Sequence, residues 1–103
     1  MVERFTEKQT LLDREVTVLA ERLRGWSPSR WRAKGRADAA FTLASTFAVL
    51  AGAPVPLPQP DDHVLADQIA VTGHDLVVAA TSDDVIDEAL VALRRTREAL
   101  GIS

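Results

Sequence analysis

Four prolines at alternate positions divide this chain. The run Gly52-Ala-Pro54-Val-Pro56-Leu-Pro58-Gln-Pro60 can be neither a helix interior nor a central strand. Each proline lacks a backbone donor, and its ring obstructs the preceding helical turn. Polyproline II is the conformation expected, which makes the segment a fairly stiff strap. Domains that bind proline-rich ligands read prolines three apart, and none of these four pairs at that spacing. The expected role of residues 52–60 is therefore a rigid crossover between helices. With 103 residues, 47% of them apolar, the chain reads as one domain, 1–103, around a single core, with a radius of gyration of about 13 Å.

Helical periodicity dominates on both sides of the strap. Thr6 followed by Gln9 fits a capping box. Leu12, Val16, Leu19 and Leu23 then recur on one helix face, and Leu11 and Val18 widen the stripe. Gly25 suits a left-handed C-cap. Ser27-Pro28 is a second helix start, because serine caps and proline needs no donor at the first position. A short helix should carry Trp31, and Gly35 leaves open whether it ends there or runs on. Residues 36–51 have almost no charge. Ala37, Ala40, Ala44, Ala48 and Ala51 form a small ridge; Leu43, Phe47 and Leu50, with Phe41 beside them, form a bulky one. A helix apolar nearly all round is expected to be buried and central.

Beyond the strap, Leu65, Ile69, Leu76 and Ala80 fit one helix over 62–80, with Gly73 as its weak point. The competing reading ends that helix at Gly73 and makes 76–80 a short strand, which lacks a second strand to pair with. Thr81-Ser82 punctuates. A last helix over 83–100 turns Ile86, Leu90, Leu93 and Leu100 inward. It has acids at its start, arginines at its end and Gly101 to close it. The expected fold is all-α: four main helices plus one short helix, bundled around the 36–51 helix.

Charge is segregated along the chain. Six of the twelve basic residues, and both tryptophans, lie between Arg22 and Arg36; from Ala37 to Leu93 there are nine acids and no Lys or Arg. Arg22 and Arg24 are accounted for by a helix C-terminus. The surplus is Arg30, Arg32, Lys34 and Arg36 around Trp31. On a continuous helix these form two like-charged i,i+4 pairs that need compensation. The first expectation is neutralisation by the acidic half, with Trp31 and also Trp26 packed in the core. The other readings are an acidic protein or a second copy of the chain, a nucleic acid, or a membrane surface. A net charge of −3 opposes long-range attraction to phosphate.

Other chemistry finds little support. No cysteine is present, which excludes disulfides and thiolate sites and suggests a reducing compartment. The charged N-terminus has no signal-peptide core, and the apolar run 39–53 is too short for a bilayer. A cytoplasmic protein is expected. His63 and His74 would share a helix face but stand about 16 Å apart, too far to hold one metal. His63 with Asp67 supplies two ligands and needs a third, from Asp61, Asp62 or another helix. Asp83-Asp84-Val-Ile-Asp87 has the DDxxD form used to hold magnesium against diphosphate. This chain is too short for the enclosing cavity such enzymes need, and acids there suit a helix start. Nucleotide-binding glycine loops and serine-nucleophile motifs are lacking. Neither a catalytic site nor a cofactor, metal or small-molecule ligand is expected.

Three stretches, Arg24-Gly-Trp-Ser-Pro-Ser-Arg-Trp31, Gly35-Arg-Ala-Asp-Ala-Ala-Phe41 and Leu65-Ala-Asp-Gln-Ile-Ala-Val-Thr-Gly-His-Asp-Leu76, are together similar to a family of small proteins from mycobacteria and related actinobacteria. The resemblance implies a small helical fold and carries no assigned activity, so no functional residue transfers. The expectation from the residues is a non-enzymatic helical protein-interaction module with Arg30, Trp31, Arg32, Lys34 and Arg36 as its contact. The alternative is a nucleic-acid-binding accessory protein using segment 22–36, and a metal-dependent enzyme is a distant third.

Overall fold

A computed structural model describes residues 6–80 and 82–102. Thr81, expected to punctuate with Ser82, lies outside the described residues, as do the first five positions of the charged N-terminus. Five α-helices are present among the described residues: α1 (Glu7–Arg24), α2 (Pro28–Trp31), α3 (Arg36–Leu50), α4 (Leu65–Ala79) and α5 (Asp83–Ala99). A 3-10 turn at Asp62–Val64 leads into α4, and no strand occurs among the described residues. The fold is the expected all-α bundle of four main helices and one short one. Its radius of gyration is 13.3 Å.

Local chemistry explains the helix ends. The Thr6 side chain accepts from the Gln9 backbone, and Gln9 Oε1 accepts from the Thr6 backbone at 2.8 Å, completing the capping box. Ser27 caps α2 ahead of Pro28, and Ser82 caps α5. Gly101, at φ +73°, closes α5, as expected. Gly25 differs: its φ of −82° is right-handed, its N–H donates to the Arg22 carbonyl, and the Trp26 N–H donates to that of Leu23. That helix stops because Ser27 and Pro28 start the next one, with no left-handed residue needed. Gly35 is the real break. Its φ of +79° is a conformation that glycine adopts without steric cost, and it separates α2 from α3.

α4 and α5 each pack against both α1 and α3, and the α4 interfaces are the larger. Leu12, Val16, Leu19 and Leu23 are all fully buried, while Val18 is exposed and does not extend the stripe. Leu65, Ile69 and Leu76 of α4 and Ile86, Leu90 and Leu93 of α5 meet them in the core, with Phe47 of α3. α3 is less enclosed than its composition suggests. It buries Ala40, Leu43, Ala44, Phe47 and Ala48, but Val49 is 74% exposed and Phe41 only half-buried. The expected central position is shared with α4, because α3 turns Asp38, Thr42 and Val49 away from the bundle. The strap is tied down by Gln68, whose Nε2 donates to the Pro58 carbonyl at 3.1 Å, and by Gln59, which donates to Asp38.

α1 and α4 run antiparallel and are bridged along their whole length. Gln9 Nε2 donates to the Val77 carbonyl at 2.8 Å, Asp13 meets His74 Nδ1 at 2.6 Å, and Arg24 pairs with Asp67 at 3.0 Å. Between these bridges Gly73 faces Val16. A Cβ at residue 73 would lie 2.6 and 2.8 Å from the two Val16 methyls. Gly73 is therefore a point of close approach, and α4 passes through it as a continuous helix with neither the break nor the strand of the competing reading. No helix among the described residues is long and apolar enough to cross a membrane.

Alanine at 73 gains about 1 kcal/mol of helix propensity but meets a β-branched neighbour with both methyls in the way and no rotamer to escape to. Gly73→Ala is expected to destabilise by a net of about 1–3 kcal/mol in urea unfolding. Combining it with Val16→Ala, which clears the space, should cost less than the two single changes summed. Additive costs would show that the contact is not why glycine is there.

Candidate functional site

The site is the corner between the end of α1 and the start of α3. Ser27 at the N-cap puts Trp26 immediately before the cap of α2, and Trp31 is the fourth residue of that helix. These are the two positions of a hydrophobic staple. The indole rings meet at 4.8 Å between centroids, tilted by 57°, which is within the range of favourable aromatic pairs. Trp31 is 4% exposed and belongs to the core. Trp26 is half-buried, with its outer part uncovered by any helix.

Two arginines lie over Trp26. The Arg30 guanidinium carbon is 4.6 Å from the Trp26 ring centroid, and that of Arg36 is 5.3 Å away. Exposed contacts of this kind contribute about 0.5–1 kcal/mol each. Arg36 Nη1 also donates to the Arg30 carbonyl at 3.1 Å, satisfying a carbonyl at the end of α2 that has no intrahelical donor. Arg32 and Lys34 lie in the turn between α2 and α3 and are exposed.

Two expectations are corrected here. The like-charged i,i+4 pairs do not form, because α2 ends at Trp31 and α3 begins at Arg36. Nor does the acidic half neutralise the cluster. Among the described residues, Arg30, Arg32, Lys34 and Arg36 make no ion pair; the pairs are Lys8–Asp87, Arg24–Asp67, His74–Asp13 and Arg97–Glu15. Among the described residues, Arg24 alone of the basic segment pairs with the acidic stretch. Delocalised guanidinium groups, more weakly hydrated than ammonium, rest readily on an indole, and Trp26 takes the place that carboxylates were expected to fill.

Of the five residues expected to form the contact, Arg30 and Arg36 converge on one ring, Arg32 and Lys34 face solvent beside them, and Trp31 is internal. The accessible ring is that of Trp26, which was not among the five. Its signal was present in the sequence: an aromatic before a Ser-Pro helix start, five residues ahead of a second aromatic.

The corner also forms one wall of a cleft of about 460 Å³, lined by Trp26, Trp31 and Arg32 on one side and by Pro60, Asp61, Asp62 and His63 on the other. The two acids and the histidine therefore share the cleft with Arg32. Asp67, which would assist His63 in binding a metal, is instead bonded to Arg24. Among the described residues no three His, Asp or Glu side chains gather as a metal site. Asp83 and Asp84 occupy the first turn of α5, and Asp87 binds Lys8 at 3.0 Å; that carboxylate holds the exposed Lys8 ammonium above the usual lysine pKa. No family model, curated protein or solved structure matches the chain, so the functional reading rests on this geometry.

The two tryptophans should be distinguishable in solution. In Trp31→Phe the remaining indole is half-exposed between cations, and iodide is expected to quench it strongly. In Trp26→Phe the remaining Trp31 should be quenched several-fold less. Equal Stern–Volmer constants for the two variants would contradict the arrangement.

Proposed function

We propose that this protein is a non-enzymatic helical interaction module whose basic-aromatic corner docks an acidic segment of another protein. The observation that carries the reading is the pair of arginines held over Trp26 without a carboxylate among the described residues. Trp and Arg are the residue types over-represented at interface hot spots, where a rigid aromatic surface and a forked cation lose little entropy on binding. Arg32 and Lys34 add positive charge at the rim, where it mainly speeds encounter with an acidic partner. Asp61 and Asp62 across the cleft disfavour a uniformly anionic ligand such as a nucleic-acid backbone and suit a peptide with mixed side chains.

The same four cations support the alternative, a nucleic-acid accessory role, so the experiment addresses both. Affinity capture from the native cytoplasm with wild type beside Arg30/Arg32/Lys34/Arg36→Ala is expected to retain acidic proteins that the variant loses and that salt elutes. An unchanged captured set overturns the reading. Titration with DNA and RNA at low salt is expected to show no binding. If the four cations did contact phosphates, duplex binding would fall with salt at a log–log slope of about −3.6.

A further inference from the structure

α5 presents to solvent a face whose charge runs from acidic to basic, and it borders an apolar groove. The groove, of about 570 Å³, lies between α3 and α5. Thr42, Leu43 and Thr46 form its α3 side; on α5 it is bounded by Glu88, Val91, Ala92 and Arg95, with Asp87 and Thr96 at the edges. Val91 is 44% exposed, and Glu88 and Arg95 are exposed and make no ion pair among the described residues. A shallower hollow sharing Thr42, Thr46 and Glu88 continues the surface across α3 to Phe41 and Val49.

The α5 residues at this groove are symmetric about the Val91–Ala92 peptide. Glu88 and Arg95 stand equally far from it, as do Asp87 and Thr96. If a second α5 lies antiparallel beside the first, with the two-fold axis passing between the helices level with that peptide, Glu88 of each copy faces Arg95 of the other. Val91 of each then faces Ala92 of the other. The charged positions lie about 5 Å along the helix from the axis, close enough for helices in contact at 8–10 Å to bring the side chains together. A two-fold interface uses one patch twice, so it must be self-complementary. This patch has a small residue opposite a larger one and a cation opposite an anion. A parallel pairing would instead set acid against acid.

We infer that the α3–α5 groove is a homodimer interface, occupied by α5 of a second copy, with Glu88–Arg95 pairs on either side of a Val91–Ala92 centre. The face is distinct from the Trp26 corner, so dimerisation and partner docking do not compete for residues.

Sedimentation equilibrium of the full chain from about 1 to about 500 μM spans micromolar to weaker association, and wild type is expected to show a monomer–dimer equilibrium. Glu88→Arg and Arg95→Glu each place like charges opposite twice per dimer and should raise the dissociation constant about tenfold or more. The doubly swapped chain restores both pairs and should return close to wild type. Val91→Arg, at an already exposed position, should abolish the dimer while circular dichroism and thermal unfolding show the fold intact. A monomer throughout the range overturns the inference. So does a dimer indifferent to these changes, which would use another face, or a folded double swap as weak as the single ones.

Discussion

The close approach of Val16 to Gly73 fixes the spacing on which the other contacts of α1 and α4 depend. With a side chain at 73 the helices would have to separate or the valine would have to move, and a fully buried β-branched residue has little freedom to do so. Three polar bridges, Gln9 to Val77, Asp13 to His74 and Arg24 to Asp67, lie along the same antiparallel seam. Each needs the two helices in one register. The pairs are individually weak because most of these side chains are half in water. Their effect is to select the register, whereas burial of Leu12, Val16, Ile69 and Leu76 supplies the driving force.

The end of α1 in turn positions the corner. Arg24 is held by Asp67, and two residues later Trp26 must reach back onto Trp31, which the core has claimed. The turn of α2 is too short to be stable by itself. It persists because of the serine cap, the proline at its first position and the indole staple at its two ends. Gly35 then lets the chain reverse into α3, which brings Arg36 back over the ring that Arg30 already covers. The cation pair is thus a consequence of two local signals, a helix start and a positive-φ glycine, acting across ten residues.

Much of this was legible in the sequence, and for reasons that can be stated. Helix identity followed from apolar period and caps, which are local and strong at Thr6, Ser27 and Leu12 to Leu23. The strap followed from proline stereochemistry. What escaped was information carried between elements. Gly73 looked like a helix weakness because propensity concerns one helix, while its reason lies on another. Phe41 looked internal because a helix with almost no charge can also be one with an unattended face. Trp26 was overlooked because charges were counted along a continuous helix that Gly35 interrupts. His74, read as too distant from His63 to share a metal with it, is bonded to Asp13, sixty-one residues away.

The same distinction governs the charges. A chain with basic and acidic stretches invites the idea that the two cancel in space, but electrostatic attraction between exposed groups is weak and screened within about 10 Å at ordinary salt. Packing therefore decides where charged side chains end up, and the charges adapt. Arg24 meets Asp67 because α1 and α4 are already in contact. Arg30 and Arg36 meet an indole because the staple leaves one there. Asp61 and Asp62 end up across an open cleft from Arg32, near enough to shape what enters and without an ion pair to it among the described residues. A half-buried indole under two cations, with carboxylates across the cleft, suits a net-acidic segment with other side chains among its acids better than a uniformly anionic chain. That asymmetry, rather than the count of arginines, is what separates a protein-docking corner from a phosphate-binding one.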